Sequence, residues 1–455
     1  MRGPRIRTAS PSPAQCAFFE CPRNRPECQG HLSGDVFVFL KPNAIGISRP
    51  DLLVRCRCCG SKDLFLFLPM GLHPPATAFV SPERAQEPQA VFPLDANVCL
   101  SCGLVQVAGR IPETICERTS CAPSDNPATK DRLETLALNT DAGAGHGPVV
   151  EIGYNEVLIL SAANRSGART LGHDIATDGA APWGAPAVEV LQTALTDVSA
   201  RRIAETHGRA MLVMTASAFN HIGDLHAFMR AVAILLADDG TLVIEVPWCA
   251  KILQGNQFDT LCHERVSELS LLSIRKLVAA TDMDIVDVQL LPVHGGSMRV
   301  HIRRTDTGEQ PSAAVTAVLD AEAAAGLTGR VTWEAFSARV HTARNDLVRM
   351  IDALRADGKT VVGYGAPARG NTLLNYFDLG ADRIDFLVDP DPSKQNMLTP
   401  GTLIPVYPMD VLAEKKPDVM LILAWNLLDE IIEQQAAFRS LGGQFLVPLP
   451  KPRLI

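Results

Sequence analysis

The chain has 455 residues, 47% of them hydrophobic, and a formal net charge of −8. That length predicts two to four domains with substantial cores, and the acidic balance argues against bulk nucleic-acid binding, which needs a basic footprint. No run of about 18 apolar residues occurs, so no membrane span is expected.

Residues 1–50 are rich in Pro, Arg and Ser and read as a poorly ordered extension. Its basic start lacks the apolar stretch of a secretory signal. Cys16, Cys21, Cys28 and His31 could form a metal site, but without paired knuckles a loosely packed extension is the plainer reading. Residues 51–125 read as a small zinc-binding domain. Cys56-x-x-Cys59 and Cys99-x-x-Cys102 each run into a glycine, Gly60 and Gly103, that lets amides turn toward the thiolates. Four such thiolates suit one structural Zn²⁺ with no open position, the alternative being chance pairing of reduced thiols. Cys58 reads as a bystander. Cysteines in C-x-x-C pairs point to a reducing compartment, so a cytoplasmic protein is expected.

Over residues 126–305 strands and helices alternate, which predicts a parallel, doubly wound sheet. Pro148-Val-Val-Glu-Ile-Gly153, Arg169-Thr-Leu-Gly-His-Asp174, Ala210-Met-Leu-Val-Met-Thr215 and Gly240-Thr-Leu-Val-Ile-Glu-Val246 read as strands, and Asp224–Leu236 as a helix. The turn at Gly153 permits close approach of a ligand, and Asp174 ends a strand where an acid can accept from ribose hydroxyls. Without a full G-x-G, a plain α/β turn fits equally well. Two later stretches, Phe258-Asp-Thr-Leu-Cys-His-Glu-Arg-Val-Ser267 and His294-Gly-Gly-Ser-Met-Arg299, gather groups that take up protons and hold anions. His263, Glu264 and Arg265 are adjacent and so diverge in an extended chain; a structural histidine is the alternative. Gly295 and Gly296 would open room for a substrate.

Residues 306–345 read as linking helices, with helical periodicity in Ala313–Ala325 and Trp333–Leu354. Residues 346–455 form a second α/β unit, a crude echo of the first. Its strands are Lys359-Thr-Val-Val-Gly-Tyr-Gly365, Arg383-Ile-Asp-Phe-Leu-Val-Asp389 and Asp418-Val-Met-Leu-Ile-Leu-Ala-Trp425, with a helix at Asn371–Phe377. The turn Gly363-Tyr-Gly-Ala-Pro-Ala-Arg-Gly370 could cradle a phosphate at a helix N-terminus, or simply be a packing turn.

Taken jointly, the cysteine knuckles, Glu151-Ile-Gly153, Phe258-Asp-Thr260, His263-Glu264, His294-Gly-Gly-Ser-Met-Arg299, Gly363-Tyr-Gly-Ala366, Gly370-Asn-Thr-Leu-Leu-Asn375 and Pro400-Gly-Thr-Leu-Ile-Pro405 give the chain a family likeness. From about Arg55 onward it resembles the S-adenosylmethionine-dependent sugar-nucleotide C-methyltransferases, which act on C3 of TDP-4-keto-deoxyhexoses. The resemblance implies an α/β protein in three parts. These are a small zinc-binding domain, a central Rossmann-like methyltransferase domain and a C-terminal Rossmann-like α/β domain, with the active site between them. It implies S-adenosylmethionine held by Glu151, Gly153, Asn155, Asp174, Asn220 and His221, and a TDP-linked 4-keto-deoxyhexose held by His294, Ser297, Arg299, Gly365, Arg369 and Asn371. His263, Glu264 and Arg265 would be catalytic, and Cys56, Cys59, Cys99 and Cys102 would hold structural Zn²⁺. No nucleic acid or membrane partner is expected, and the chain should be a monomer or weak dimer.

Several positions depart from the family pattern. Its Tyr-His-Glu-His reads Cys262-His263-Glu264-Arg265 here, and arginine, always protonated, stands in place of the proposed base. A tyrosine expected downstream is missing from Ser267-Glu268-Leu269, and the donor loop Gly-Ser-Asn-Asp-Gly reads Gly153-Tyr-Asn-Glu-Val157. Two expectations follow. Either the enzyme is active, with His263 or Glu264 taking the proton and Arg265 steadying the enolate or pyrophosphate, or the chain is a catalytically silent nucleotide-sugar-binding relic. A nicotinamide-dependent oxidoreductase using the Gly363 turn lacks the third glycine at the proper spacing.

Overall fold

A computed structural model describes residues 53–109, 111, 147–153, 169–173, 189–191, 194–216, 218–293 and 295–455, with the backbone of three short strands before them. The extension cysteines Cys16, Cys21 and Cys28, and the site candidates Asn155, Asp174 and His294, lie outside the described residues.

The two cysteine knuckles close on backbone hydrogen bonds, from Gly60 N to Cys56 O (3.0 Å) and from Gly103 N to Cys99 O (2.8 Å). Both glycines sit in the left-handed region, at φ 70° and 71°, which a side chain would strain. The strands β1 (Leu64–Leu68), β2 (Gln89–Pro93), β3 (Ala96–Cys99) and β4 (Val105–Val107) follow. Of these, β1, β3 and β4 form an antiparallel meander.

The central sheet is built from β5 (Val149–Ile152), β6 (Thr170–His173), β7 (Glu189–Leu191), β8 (Ala210–Ala216) and β9 (Leu236–Pro247), all parallel. Helices α1 (Asp197–His207) and α2 (Leu225–Leu235) lie between strands, and α1 starts on a capping box at Thr196 and Ser199. After α3 (Cys249–Gln254), the short strand β10 (Ser267–Glu268) leaves this sheet and pairs antiparallel with β4 of the zinc domain, Ser267 opposite Gln106 and Glu268 opposite Val105. Helix α4 (Leu271–Val278) leads to the hairpin β11 (Met283–Leu291) and β12 (Ser297–Arg304), which completes the order β7-β6-β5-β8-β9-β12-β11. The order reverses between β5 and β8, and ligands of open α/β sheets bind in the crevice at such a switch point.

Helix α5 (Ala313–Ala325) packs on β11 and α4, with Val315, Val318 and Glu322 buried. It therefore belongs to the wall of the central domain and is more than a link. Buried Glu322 accepts from the Trp248 indole (2.7 Å) and from the amides of Leu271 (2.6 Å) and Leu272 (2.8 Å), which satisfies the start of α4. Helix α6 (Arg330–Ala356) buries Trp333, Phe336, Val340, Ala343, Leu347 and Ile351 at helical spacing, and it runs past the expected boundary at residue 345.

The C-terminal unit comprises β13 (Val361–Tyr364), α7 (Ala368–Phe377), β14 (Leu387–Val388), β15 (Val406–Tyr407), β16 (Val419–Ile422), β17 (Gln444–Val447) and β18 (Arg453–Leu454). Its order is β15-β14-β13-β16-β17-β18, parallel except for β18, so its first five strands repeat the arrangement of the central sheet. Among the described residues no helix is long and apolar enough to cross a membrane.

Candidate active site

The Sγ atoms of Cys56, Cys59, Cys99 and Cys102 all lie within 4.8 Å of one another, and none of the four is in a disulfide. Hydrogen bonding to its neighbouring thiols pushes Cys56 far above the ordinary thiol range, while Cys99 is lowered by the same contacts. Four thiols this close cannot ionise together without a cation among them, and four thiolates make a closed tetrahedral site for a structural Zn²⁺. Cys58, inside the first knuckle, donates from its thiol to Ser273 O (2.9 Å) and so stands outside the ligand set as expected. Arg57 beside it donates to Val266 O (2.9 Å) and Val107 O (3.0 Å). The knuckle thus holds the stretch from Val266 to Glu268 in place.

That stretch ends a segment where the three parts of the protein meet. From the zinc domain, Thr77 donates to Glu264 Oε1 through its amide (3.2 Å) and hydroxyl (2.7 Å). From the C-terminal unit, Arg369 makes a two-point contact with Asp259 (3.1 and 3.3 Å) while lying 4.6 Å above the Trp425 ring, whose indole also donates to Asp259. Thr372 donates to Leu261 O and Asn371 to Ala76 O.

His263 is buried, and its Nε2 faces two carbonyl oxygens, Phe92 O (3.1 Å) and Pro93 O (3.2 Å). Carbonyls only accept, so Nε2 carries the proton and Nδ1 is the bare nitrogen; it has no partner. Burial lowers the His263 pKa, so the ring stays neutral. Arg265 is half-buried. His221 follows β8 in the turn Phe219–His221; it is exposed, yet burial, reinforced by Arg265, lowers its pKa to about 4. Accessible surface and strong desolvation coexist where a side chain sits inside a recess. Next to it Asn220 is fully buried with neither amide nitrogen nor oxygen partnered.

The other candidates are placed less openly. Gly153, at φ 79°, follows β5, and a Cβ there would collide with Ala218; the glycine is required by the close crossing of the β5 and β8 loops. Glu151 is buried on β5. Ser297 donates to Val293 O (3.1 Å). Arg299 makes a two-point pair with Glu245 on the neighbouring strand (3.0 and 2.8 Å), both side chains nearly buried, so it clamps the sheet. Gly295 and Gly296 were expected to make room for a substrate. Instead a Cβ on Gly295 would strike Gln257, and one on Gly296 would strike Lys251, so the chain's own side chains fill that space. At the Gly365 turn, φ 81°, the Ala366 amide donates to Asp389 (2.6 Å), so a carboxylate already occupies an amide that a phosphate cradle would use.

The C-methyltransferase C-terminal domain model matches residues 292–450, and a zinc binding domain model matches residues 56–114. The chain is 34% identical over 404 residues to the C-methyltransferase NovU of Streptomyces niveus, covering 88% of this chain and 96% of that protein. The chain belongs to this C-methyltransferase family. In the family's terms its C-terminal region begins at the β11–β12 hairpin and takes in α5 and α6, well before residue 346. Among solved structures, magnesium protoporphyrin IX methyltransferase from Synechocystis PCC 6803 is 15% identical, covering 39% of this chain and 78% of that one, with a TM-score of 0.28. An O-methyltransferase family protein from Burkholderia thailandensis is 14% identical, covering 39% and 56%, with a TM-score of 0.31. Likenesses that slight carry no argument about the site.

One buried acid beside this segment is not singled out by the sequence. Glu268 on β10 is buried, and neither carboxylate oxygen has a hydrogen-bond partner. The signal is an acid in a short polar stretch, Ser267-Glu268, set between the apolar Val266 and Leu269, and all four residues are buried.

Proposed function

We propose that the chain transfers a methyl group from S-adenosylmethionine to C3 of a TDP-linked 4-keto-deoxyhexose by way of an enolate, in deoxysugar biosynthesis. The observation that carries this reading is the set of buried polar atoms without partners around the segment where the three parts meet: Asn220, His263 Nδ1, Ser267 Oγ, Glu268 and Asn371 Oδ1. A buried polar group left unpaired costs about 1–3 kcal/mol, so several together fit a place where a polar ligand completes the hydrogen bonding.

The residues present fit a methyl donor at the switch point. Glu151, Gly153, Asn220 and His221 flank the ends of β5 and β8, with Asn155 and Asp174 assigned to the same role, and the unpartnered Asn220 amide offers both a donor and an acceptor. When bound, S-adenosylmethionine supplies an electrophilic methyl group. The chain's own residues hold the sugar, exclude water and move one proton. The C4 ketone acidifies the C3–H bond, a base takes that proton, and cationic donors steady the charge on the ketone oxygen. Arg265 suits that last task, because it keeps its charge. Arg369, Asn371 and Gly365, with His294, Ser297 and Arg299, are assigned to the sugar-nucleotide side. Arg369 reaches the shared segment through Asp259 and Asn371 reaches the zinc domain beside it through Ala76, whereas Ser297 and Arg299 act through the sheet. Holding two reactants at attack distance can supply roughly 7–11 kcal/mol in good cases. Cys56, Cys59, Cys99 and Cys102 would supply all four ligands of a zinc ion and leave no open position, which suits a structural role.

Mass spectrometry of a TDP-4-keto-6-deoxyhexose incubated with the protein and labelled S-adenosylmethionine tests this. The expected outcome is a product heavier by one labelled CH₂ group, located at C3. Calorimetric binding of the sugar nucleotide with no mass gain would instead support the silent binding protein.

A further inference from the structure

We infer that Glu268, on the strand that the zinc domain borrows from the central domain, is the base that removes the sugar proton. This rests on the reading given above and adds the identity of the proton acceptor.

The argument is one of availability. Each other candidate in the segment is committed or unsuited. Glu264 is held on Oε1 by both donors of Thr77, which leaves only Oε2 bare, and Asp259 is held by Arg369 and Trp425. His263 has its proton fixed toward two carbonyls, and its bare nitrogen is weakened as a base by burial. Arg265 cannot accept a proton under ordinary conditions. Glu268 alone offers a carboxylate with both oxygens unpartnered among the described residues of the segment.

The surroundings suit the task. Burial raises the Glu268 pKa to about 7; Arg265, the Thr260 hydroxyl and Arg369 oppose the rise, and Asp259 adds to it. Cys249 on α3 also feels its charge. The Thr260 hydroxyl gives its hydrogen to Gln257 O (3.0 Å), so it leaves Glu268 free to accept. A base works best when its pKa lies near the operating pH. Strand β10 lies against the Phe219–His221 turn, and exposed His221 marks the side from which a substrate would approach.

In the step, the C3–H bond breaks and its proton goes to a Glu268 oxygen. The electron pair enters the C3–C4 bond, and the ketone oxygen takes the negative charge beside Arg265. The proton later passes to water.

The test is hydrogen exchange at C3, followed by NMR in deuterated buffer with the TDP-4-keto-6-deoxyhexose and no methyl donor. Wild-type protein should exchange the C3 hydrogen above the buffer rate, with a rate that rises with pH through about 7. Glu268→Gln should lose about 10²–10⁴-fold of that exchange and its pH limb, while calorimetry shows the sugar nucleotide still bound. Glu268→Asp should keep the limb at reduced rate. Wild-type exchange in Glu268→Gln would overturn the assignment of Glu268 alone. Absence of exchange and of binding in the wild type would overturn the proposed function, and this assignment with it. Should Glu268→Gln fail to fold, Glu268→Asp decides: a rate and pH midpoint equal to wild type would overturn the assignment.

Discussion

Two buried glutamates, Glu322 and Glu268, show how partners decide what burial does to an acid. Glu322 accepts three hydrogen bonds and closes the start of a helix; burial raises its pKa, but its donors pull the other way. Glu268 has no such donors, and its pKa stands near 7 against an ordinary value of 4.5. A carboxyl raised in this way helps the fold only while protonated. Its contribution is complete below the unfolded value of 4.5 and is lost as pH rises through about 7. The shift corresponds to about 3 kcal/mol. Glu268→Gln, which never ionises, should therefore melt above wild type at about pH 8 and converge with it at about pH 4. Thermal melts of the two unliganded proteins across that range check this. Parallel curves would show that Glu268 is ionised and accommodated in the fold. The sequence made Arg265 conspicuous as a residue that cannot act as a base. It could not show which acid lay beside it, because Asp259, Glu264 and Glu268 differ only in the partners that folding gives them.

At the scale of elements, β10 joins the zinc domain to the segment where the three parts meet. It is two residues long, and its pairing with β4 is reinforced by Arg57 from within the first knuckle. A strand that short has little stability of its own. The metal should therefore act at a distance, by fixing β3, β4 and through them Glu268. Cys99→Ser, or chelation, should remove one zinc per chain as measured by metal analysis. Amide protection at Val105, Val107 and Ser267 should fall by at least about tenfold, equal to about 1.4 kcal/mol. Unchanged protection in metal-free protein would mean that β10 is held by the central domain alone. The knuckles themselves were legible from spacing, since C-x-x-C followed by glycine allows few geometries. The pairing of β10 with β4 was not, because more than 150 residues separate Glu268 from Val105 and a two-residue strand leaves no periodicity to read. The same limit hid the use of Gly295 and Gly296: glycine signals a close approach, but the neighbour that approaches is set by tertiary packing.

Across the whole molecule, the two α/β units were legible as echoes because each buried strand is a short apolar run before a turn, and the order 3-2-1-4-5 recurs in both sheets. Their assembly was less so. The helix α6 is legible in the sequence as far as Leu354 but reads there as a link, whereas its buried residues recur to Ile351 because both ends have a partner. Near its start, Trp333 and Phe336 pack on Phe67 of β1, with ring centroids 4.6 and 5.8 Å apart, and the Trp333 indole donates to Leu327 O (2.8 Å). Farther along, the helix lies against β13. The zinc domain is also clasped by the C-terminal unit directly, through Asn371 to Ala76 O and Gly401 N to Gln89 Oε1. Trp333→Ala would empty the contact at one end of the helix and leave the other intact. It should cost about 3–5 kcal/mol, as expected for a fully buried aromatic ring. If α6 is the shared spine, that loss is not evenly spread: native-state hydrogen exchange in Trp333→Ala should lose protection first in β1 and β3, while β13 and β16 keep theirs. Equal loss in all four strands would mean that the zinc domain and the C-terminal unit unfold as one body, held by the direct clasp rather than by the helix.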